Sequence, residues 1–273
     1  MTSDDWLNDD DKAQLEQKKE QKQKDYDFKF EEAENENHEV YTIYGLKGDG
    51  KTALAYSFDG TKAVLSFDKK SVLTKNNLFN ENKSIKVYDA IKYMDENPET
   101  FVESCMKTYD YCVFLLENIA KEKVDWIVID GLEIFTRIGE MVMRGRHGLT
   151  VIQGIANRNL WKERRLLLRA LHKKATEASK KGIIYTTYTD KDEIVEDGEL
   201  VSKKTVPKWT DVVMEQTDIV LHVYSKQEDD TRKFYVDVIT SKNDKKVKTG
   251  KTIDVTDFKT SIFGGDVVGA KKD

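Results

Sequence analysis

The sequence predicts an α/β fold: a mostly parallel sheet flanked by helices, with antiparallel strands towards the C-terminal end. Three observations predict it. Dense apolar runs such as residues 126–129 (WIVI) and 183–187 (IIYTT) read as strands buried on both faces. Segments of helical spacing alternate with those runs, which favours parallel neighbours joined by crossover helices. A glycine-rich stretch, residues 45–52 (GLKGDGKT), separates the first strand from the first helix.

The elements follow in order. Residues 1–37 are rich in Asp, Glu, Lys, Gln and Asn with few apolar anchors, and read as a disordered or loosely helical leader. Residues 40–44 (VYTIY) form the first strand, 51–58 a helix, 63–67 (AVLSF) a second strand and 85–87 a short third. Pro98 and Glu99 mark a helix start, with Asn97 as its cap. From there Phe101, Cys105, Thr108, Cys112, Leu115, Leu116 and Ile119 keep a helical face. Residues 126–129 form a strand that ends in Asp130. Four glycines between 137 and 158 predict a loop there, and residues 159–181 a long basic helix. Residues 194–201 read as a hairpin turning at Asp197-Gly198. Residues 219–223 and 234–239 close the sheet, and 264–273 form a tail.

Composition narrows the class. Charged residues make up 35% of the 273 positions against 38% hydrophobic, so the chain reads as a soluble, surface-rich protein. No run of about 18 apolar residues exists to span a membrane, and the N-terminal residues lack the basic and apolar pattern of a secretory signal. Cys105 and Cys112 stand two turns apart on one helical face, too far to bridge, so buried free thiols and a reducing cytoplasm are expected. The net charge of −5 is uneven: residues 1–38 carry 13 acids against six lysines, leaving a mildly basic body.

Gly45, Leu46, Lys47, Gly48, Asp49, Gly50, Lys51 and Thr52 fit G-x-x-x-x-G-K-[ST] at every fixed position, and Ala53 follows inside the helix. This is the pattern of a P-loop. Its glycines let successive N–H groups converge on phosphate oxygens at a helix start, where the partial positive charge favours an anion. Lys51 is expected to reach the β- and γ-phosphates of ATP, and the Thr52 hydroxyl to ligate Mg²⁺. Such a loop needs a carboxylate at a neighbouring strand end, and Asp130 fits. Glu133, three residues on, is a candidate to polarise water.

The order of these elements resembles the RecA-like P-loop NTPases, above all the compact phage and archaeal members that accompany single-strand annealing and recombination. The resemblance rests on the P-loop, AVLSFD at 63–68, WIVIDGLEIF at 126–135 and Asn-Leu-Trp at 159–161. It continues through IIYTTYTDKD at 183–192, VPKW at 206–209 and TDIV at 217–220. It covers about residues 38–263 as one RecA-like ATPase domain. The resemblance implies a Mg²⁺-dependent ATPase in which Lys51, Thr52 and Asp130 hold phosphate and metal. It also shows departures. Lys70 stands where such recombinases carry a catalytic glutamate, leaving Asp68 or Glu133 as candidate bases, and Tyr188 occupies the place of a polar γ-phosphate sensor.

The same resemblance implies single-stranded DNA as a partner, a homo-oligomer with ATP between subunits, and a single-strand annealing or single-strand-binding protein as a possible associate. Ten Lys and Arg fall between positions 137 and 174, among them Arg137, Arg144, Arg146, Arg158, Arg164 and Arg165, with only Glu140 and Glu163 against them in that window. Seven of the ten are arginine, which forks onto phosphate and stacks on bases. The alternatives are arginines at a subunit interface, or a regulatory ATPase of the KaiC-like kind with a protein partner and no DNA. Phe30-Glu31-Glu32-Ala33 has the F-x-x-A form of an oligomer hook. Trp161 and Trp209 are expected to pack against the sheet, and the four histidines have no metal-ligand spacing.

Overall fold

The computed structural model describes residues 38–68, 70–80, 82–196 and 199–258. The acidic leader, the F-x-x-A segment, the turn at 197–198 and the tail lie outside the described residues.

Along the chain come β1 (Glu39–Tyr44), α1 (Lys51–Ser57), β2 (Lys62–Ser66), α2 (Ser71–Leu78), β3 (Ile85–Asp89) and α3 (Phe101–Ala120). Then follow β4 (Val124–Asp130), α4 (Leu132–Arg146), α5 (Leu160–Ala178), β5 (Ser179–Thr187), β6 (Thr189–Glu196) and β7 (Glu199–Pro207). The last described elements are α6 (Asp211–Gln216), β8 (Ile219–Glu228), β9 (Thr231–Ser241) and β10 (Thr252–Asp254). Eight strands form one sheet in the order β10-β9-β8-β1-β5-β4-β2-β3, and β6 and β7 pair as a separate antiparallel ribbon. The run from β8 to β3 is parallel throughout; β9 and β10 add on antiparallel. This is the expected α/β architecture, a mostly parallel sheet flanked by helices with antiparallel strands at the C-terminal edge.

The period-two rule of a strand divides the core. On β4, Ile127 and Ile129 join the cluster beneath α3, α4 and α5, while Trp126 and Val128 join the cluster beneath α1. Tyr41, Phe58 and Trp126 meet edge to face in the second cluster, with centroids 5.0–5.7 Å apart. The parallel strands therefore read as continuous apolar runs because both faces are covered. Gly182 marks one tight approach: at φ +143° its ideal Cβ would lie 1.9 Å from the Glu39 carbonyl oxygen of β1.

Three expectations need correction. Residues 137–146 are not a loop but most of α4. Gly139 and Gly145 sit where helices touch, and a Cβ there would come within 2.9 Å of Leu168 and 2.3 Å of Met106. Those glycines serve close packing; the irregular segment begins only after them. The basic helix ends at Ala178, because Ser179, Lys180 and Lys181 already extend into β5. Helix α3 begins at Phe101 with Thr100 at its cap, while Asn97 accepts the Glu99 N–H in the preceding turn. Cys105 and Cys112 are both buried free thiols, as expected. Among the described residues no helix is long and apolar enough to cross a membrane.

Candidate nucleotide site

The parallel strands bring four chain-distant segments to one sheet edge. β1 runs into the loop at 45–50, β2 ends before Asp68, β4 ends in Asp130 and β5 ends at Thr187. In open α/β sheets, ligands bind outside these carboxyl ends. A cavity of about 880 Å³ opens there, lined by all four segments.

The loop is built for an anion. Gly48 and Gly50 hold φ of 88° and 89°, a region costly for other residues. Among the described residues, the backbone N–H groups of Gly48, Gly50, Lys51 and Thr52 meet no protein acceptor, so the cradle keeps its donors for a ligand. Gly45 is required for another reason: a Cβ there would lie 2.2 Å from the Val223 carbonyl oxygen of β8. Asp49 faces inward, accepting the Leu46 N–H at 2.9 Å and the Ser225 hydroxyl at 2.9 Å. Arg232 of β9 donates to the Gly48 carbonyl at 3.0 Å and to Ser225 at 2.8 Å. β8, through Ser225, and β9, through Arg232, thus fix the middle of the loop from behind. Leu46 is exposed, and Ala53 is buried in the first turn of α1.

Lys51 Nζ donates to the carbonyls of Gly45 (3.1 Å) and Leu46 (2.8 Å) and lies 4.4 Å from the centre of the Tyr188 ring. Burial lowers its pKa, while Asp49, Glu133, Asp130 and Asp68 oppose that shift.

Asp130 is the most enclosed carboxylate of the site. The Thr52 hydroxyl lies 3.1 Å from both of its oxygens. Thr186 donates to Oδ1 and Ser71 to Oδ2, each at 2.5 Å. Burial raises its pKa, and the hydroxyls of Ser71, Thr186 and Thr52 act in the opposite direction. One carboxylate beside one hydroxyl is a hard-oxygen pair, which suits Mg²⁺ with its retained waters. The residues present therefore fit the metal as well as the phosphates.

Glu133, in the first turn of α4, uses one oxygen twice: Oε1 accepts the Thr187 hydroxyl at 2.9 Å and the Tyr188 N–H at 2.6 Å. Asp68 is exposed on the cavity rim and accepts the Lys70 N–H at 3.1 Å. Lys70, exposed, lines the same cavity. Asp68, Asp130, Glu133 and Tyr188 thus line one cavity with the loop.

The basic segment is arranged differently from the sequence window. Arg144 is 8% exposed and donates to Glu140 at 2.9 Å, the Thr150 carbonyl at 2.9 Å and the Gln153 carbonyl at 2.7 Å. It staples the C-terminal turn of α4 to the following loop and offers nothing to an external phosphate, so its place among DNA-contacting candidates is corrected. Arg146 pairs with Glu163 at 3.1 Å, Arg165 with Asp211, and Arg169 with Glu215 at 2.8 Å. Arg164 stacks on Trp161 at 4.6 Å, and Arg137 on Phe101 at 4.8 Å. Arg158 is exposed and forms no ion pair with a described residue. Trp209 packs against the helix-side core.

Sequence reasoning missed Ser71, Thr186, Ser225 and Arg232. Ser71 and Thr186 carry a faint signal, since hydroxyls at or just past strand ends β2 and β5 belong beside Asp130. Arg232, 184 positions from Gly48, carries none.

A phosphate cradle at the end of a central strand, a lysine within it and a hydroxyl–carboxylate pair beside it define a P-loop nucleotide-binding ATPase core. The chain belongs to the AAA domain family, whose profile matches residues 37–261. No curated protein matches it significantly. Among solved structures it is similar to a KaiC-like protein from the hyperthermophilic archaeon Pyrococcus horikoshii, at 14% identity and a TM-score of 0.42, covering 80% of this chain and 85% of that one.

Proposed function

We propose that this protein binds ATP with Mg²⁺, hydrolyses it, and acts on single-stranded DNA during recombination, annealing or repair. The observation that carries the ATPase reading is the Thr52–Asp130 pair at 3.1 Å beside the N–H groups of Gly48, Gly50, Lys51 and Thr52, which meet no protein acceptor among the described residues. Lys51 would exchange the Gly45 and Leu46 carbonyls for phosphate oxygens. Thr52 and Asp130 would hold the metal, which supplies charge neutralisation on the phosphates. Glu133 is the better placed of the two candidate bases. Two hydrogen bonds on Oε1 fix its direction, and its other oxygen remains to orient a water and receive its proton.

The DNA part rests on the cations that structure leaves open, Arg158 and Lys162, with Arg137 and Arg164 able to exchange a ring for a base. The ion pairs of Arg146, Arg165 and Arg169 favour a second reading, a regulatory ATPase with a protein partner. The test is ATP hydrolysis by the purified protein with and without single-stranded DNA, beside Lys51→Ala. Stimulation by DNA that vanishes in Lys51→Ala supports the whole proposal. Lys51-dependent activity indifferent to DNA transfers support to the regulatory reading. Activity that survives Lys51→Ala refutes the assignment of the P-loop.

A further inference from the structure

We infer that Ser71 is a positioning residue for the metal: its hydroxyl holds Asp130 so that the carboxylate and Thr52 share one cation. This deepens the Mg²⁺–ATP reading and rests on it.

Three hydroxyls hold the Asp130 carboxylate. Asp130 ends β4, and its two oxygens receive hydroxyls from three separate elements: Thr52 at the start of α1, Thr186 near the end of β5 and Ser71 at the start of α2. Thr52 is the group that must turn to a cation, so orientation falls to the other two. Thr186 holds Oδ1 and also accepts the Gly131 N–H at 3.1 Å, a strand-end contact already tied to β4. Among the described residues Ser71 is the one hydroxyl besides Thr52 that reaches Oδ2, and at 2.5 Å it is the nearer of the two.

Ser71 is itself held. It is 1% exposed; Ser66 Oγ lies 2.7 Å away, and the Ser71 N–H donates to the Asp68 carbonyl at 3.1 Å. The Tyr56 hydroxyl donates to the Ser71 carbonyl at 3.3 Å. A second acceptor, the Asp68 carbonyl oxygen, lies 2.9 Å from Ser71 Oγ. With its one proton on Asp130 Oδ2, the shorter contact, Ser71 Oγ accepts from Ser66, and the Ser71 N–H ties it to the turn that presents Asp68. Groups in this outer position orient a metal ligand, and their loss costs about 10- to 100-fold in metal affinity.

The experiment titrates Mg²⁺ into protein mixed with a fluorescent ATP analogue and reads nucleotide binding, not turnover. Ser71→Ala is expected to raise the Mg²⁺ concentration for half-maximal binding about 10-fold, while binding in EDTA stays at the wild-type level. Ser71→Thr, which keeps the hydroxyl, is expected to restore the wild-type titration. Ser66→Ala, one contact removed from Asp130, is expected to change it little. Should Ser71→Ala fail to fold, Ser71→Cys supplies the measurement, since a thiol fills the space but donates weakly. A wild-type Mg²⁺ titration in Ser71→Ala, or in Ser71→Cys where the alanine variant does not fold, overturns the inference. A wild-type protein whose nucleotide binding ignores Mg²⁺ would overturn the underlying reading instead.

Discussion

Replacing Arg144 by methionine separates a structural arginine from a nucleic-acid ligand. The guanidinium makes three charge-assisted hydrogen bonds from a largely buried position. Bonds to a charged group contribute about 1.5–3 kcal/mol each, but Thr150 and Gln153 are exposed residues whose carbonyls water can reach once the guanidinium is gone. Methionine also keeps much of the packing of the stem. Losing one partner of a buried pair costs about 3–5 kcal/mol, and the rehydration places Arg144→Met at the low end, about 3 kcal/mol. For a domain of this size each kcal/mol shifts Tm by roughly 2–4 °C, so the expected fall is about 6–12 °C. Thermal unfolding by circular dichroism measures it, with Arg158→Ala alongside. Arg158→Ala is expected to leave Tm unchanged and, if DNA is bound, to shallow the salt dependence of binding by about one unit of slope. An Arg144→Met protein with wild-type Tm and weakened DNA binding would refute the reasoning, because it would make Arg144 a phosphate ligand after all.

Three further outcomes are expected. Gly182→Ala should prevent stable folding, since its Cβ would collide with the β1 backbone 1.9 Å away at a φ that side chains rarely adopt; a soluble variant with wild-type melting would contradict the β1–β5 register. Cys105 and Cys112, whose thiols burial pushes up to about 11 and about 12, should react with a thiol reagent only after denaturant is added, and rapid native labelling would place them wrongly. Burial lowers the His172 pKa to about 4 from 6.5, so the unfolded chain takes up that proton first. Stability is then lost as pH falls from about 6.5 towards 4, by up to about 3 kcal/mol; His172→Gln should flatten that part of a denaturation-against-pH series.

Much of this was legible from sequence because its signals are local. A P-loop is eight consecutive residues with a strand before and a helix after, and Asp130 follows an apolar run that can only be a central strand. Dense β-branched runs mark strands covered on both faces, so the parallel centre could be read without knowing their order. Glycine was the ambiguous signal. At 48 and 50 it buys left-handed backbone, as the motif requires, whereas at 139 and 145 it removes a side chain between helices. A count of glycines cannot separate those uses, and for that reason the sequence alone makes residues 137–146 of α4 look like a loop. Helix α2 was missed on weaker grounds: only Ser71 of its eight residues is buried, so it has no apolar face to announce it.

Charge was the property least legible along the chain, because ion pairs close through space. In the window from 137 to 174 two acids face ten cations, yet the fold brings Asp211 to Arg165, Glu215 to Arg169 and Glu117 to Lys174, partners 46, 46 and 57 positions away. These pairs are exposed, so each is weak and opens readily. They still change what the surface offers, since a phosphate must displace a carboxylate from Arg165 or Arg169 but not from Arg158 or Lys162. Competition of that kind would make binding less tight, and its salt dependence shallower, than ten free cations would give. A basic window therefore marks where cations begin, and the positions of the acids on α3 and α6 decide which of them remain available to a partner.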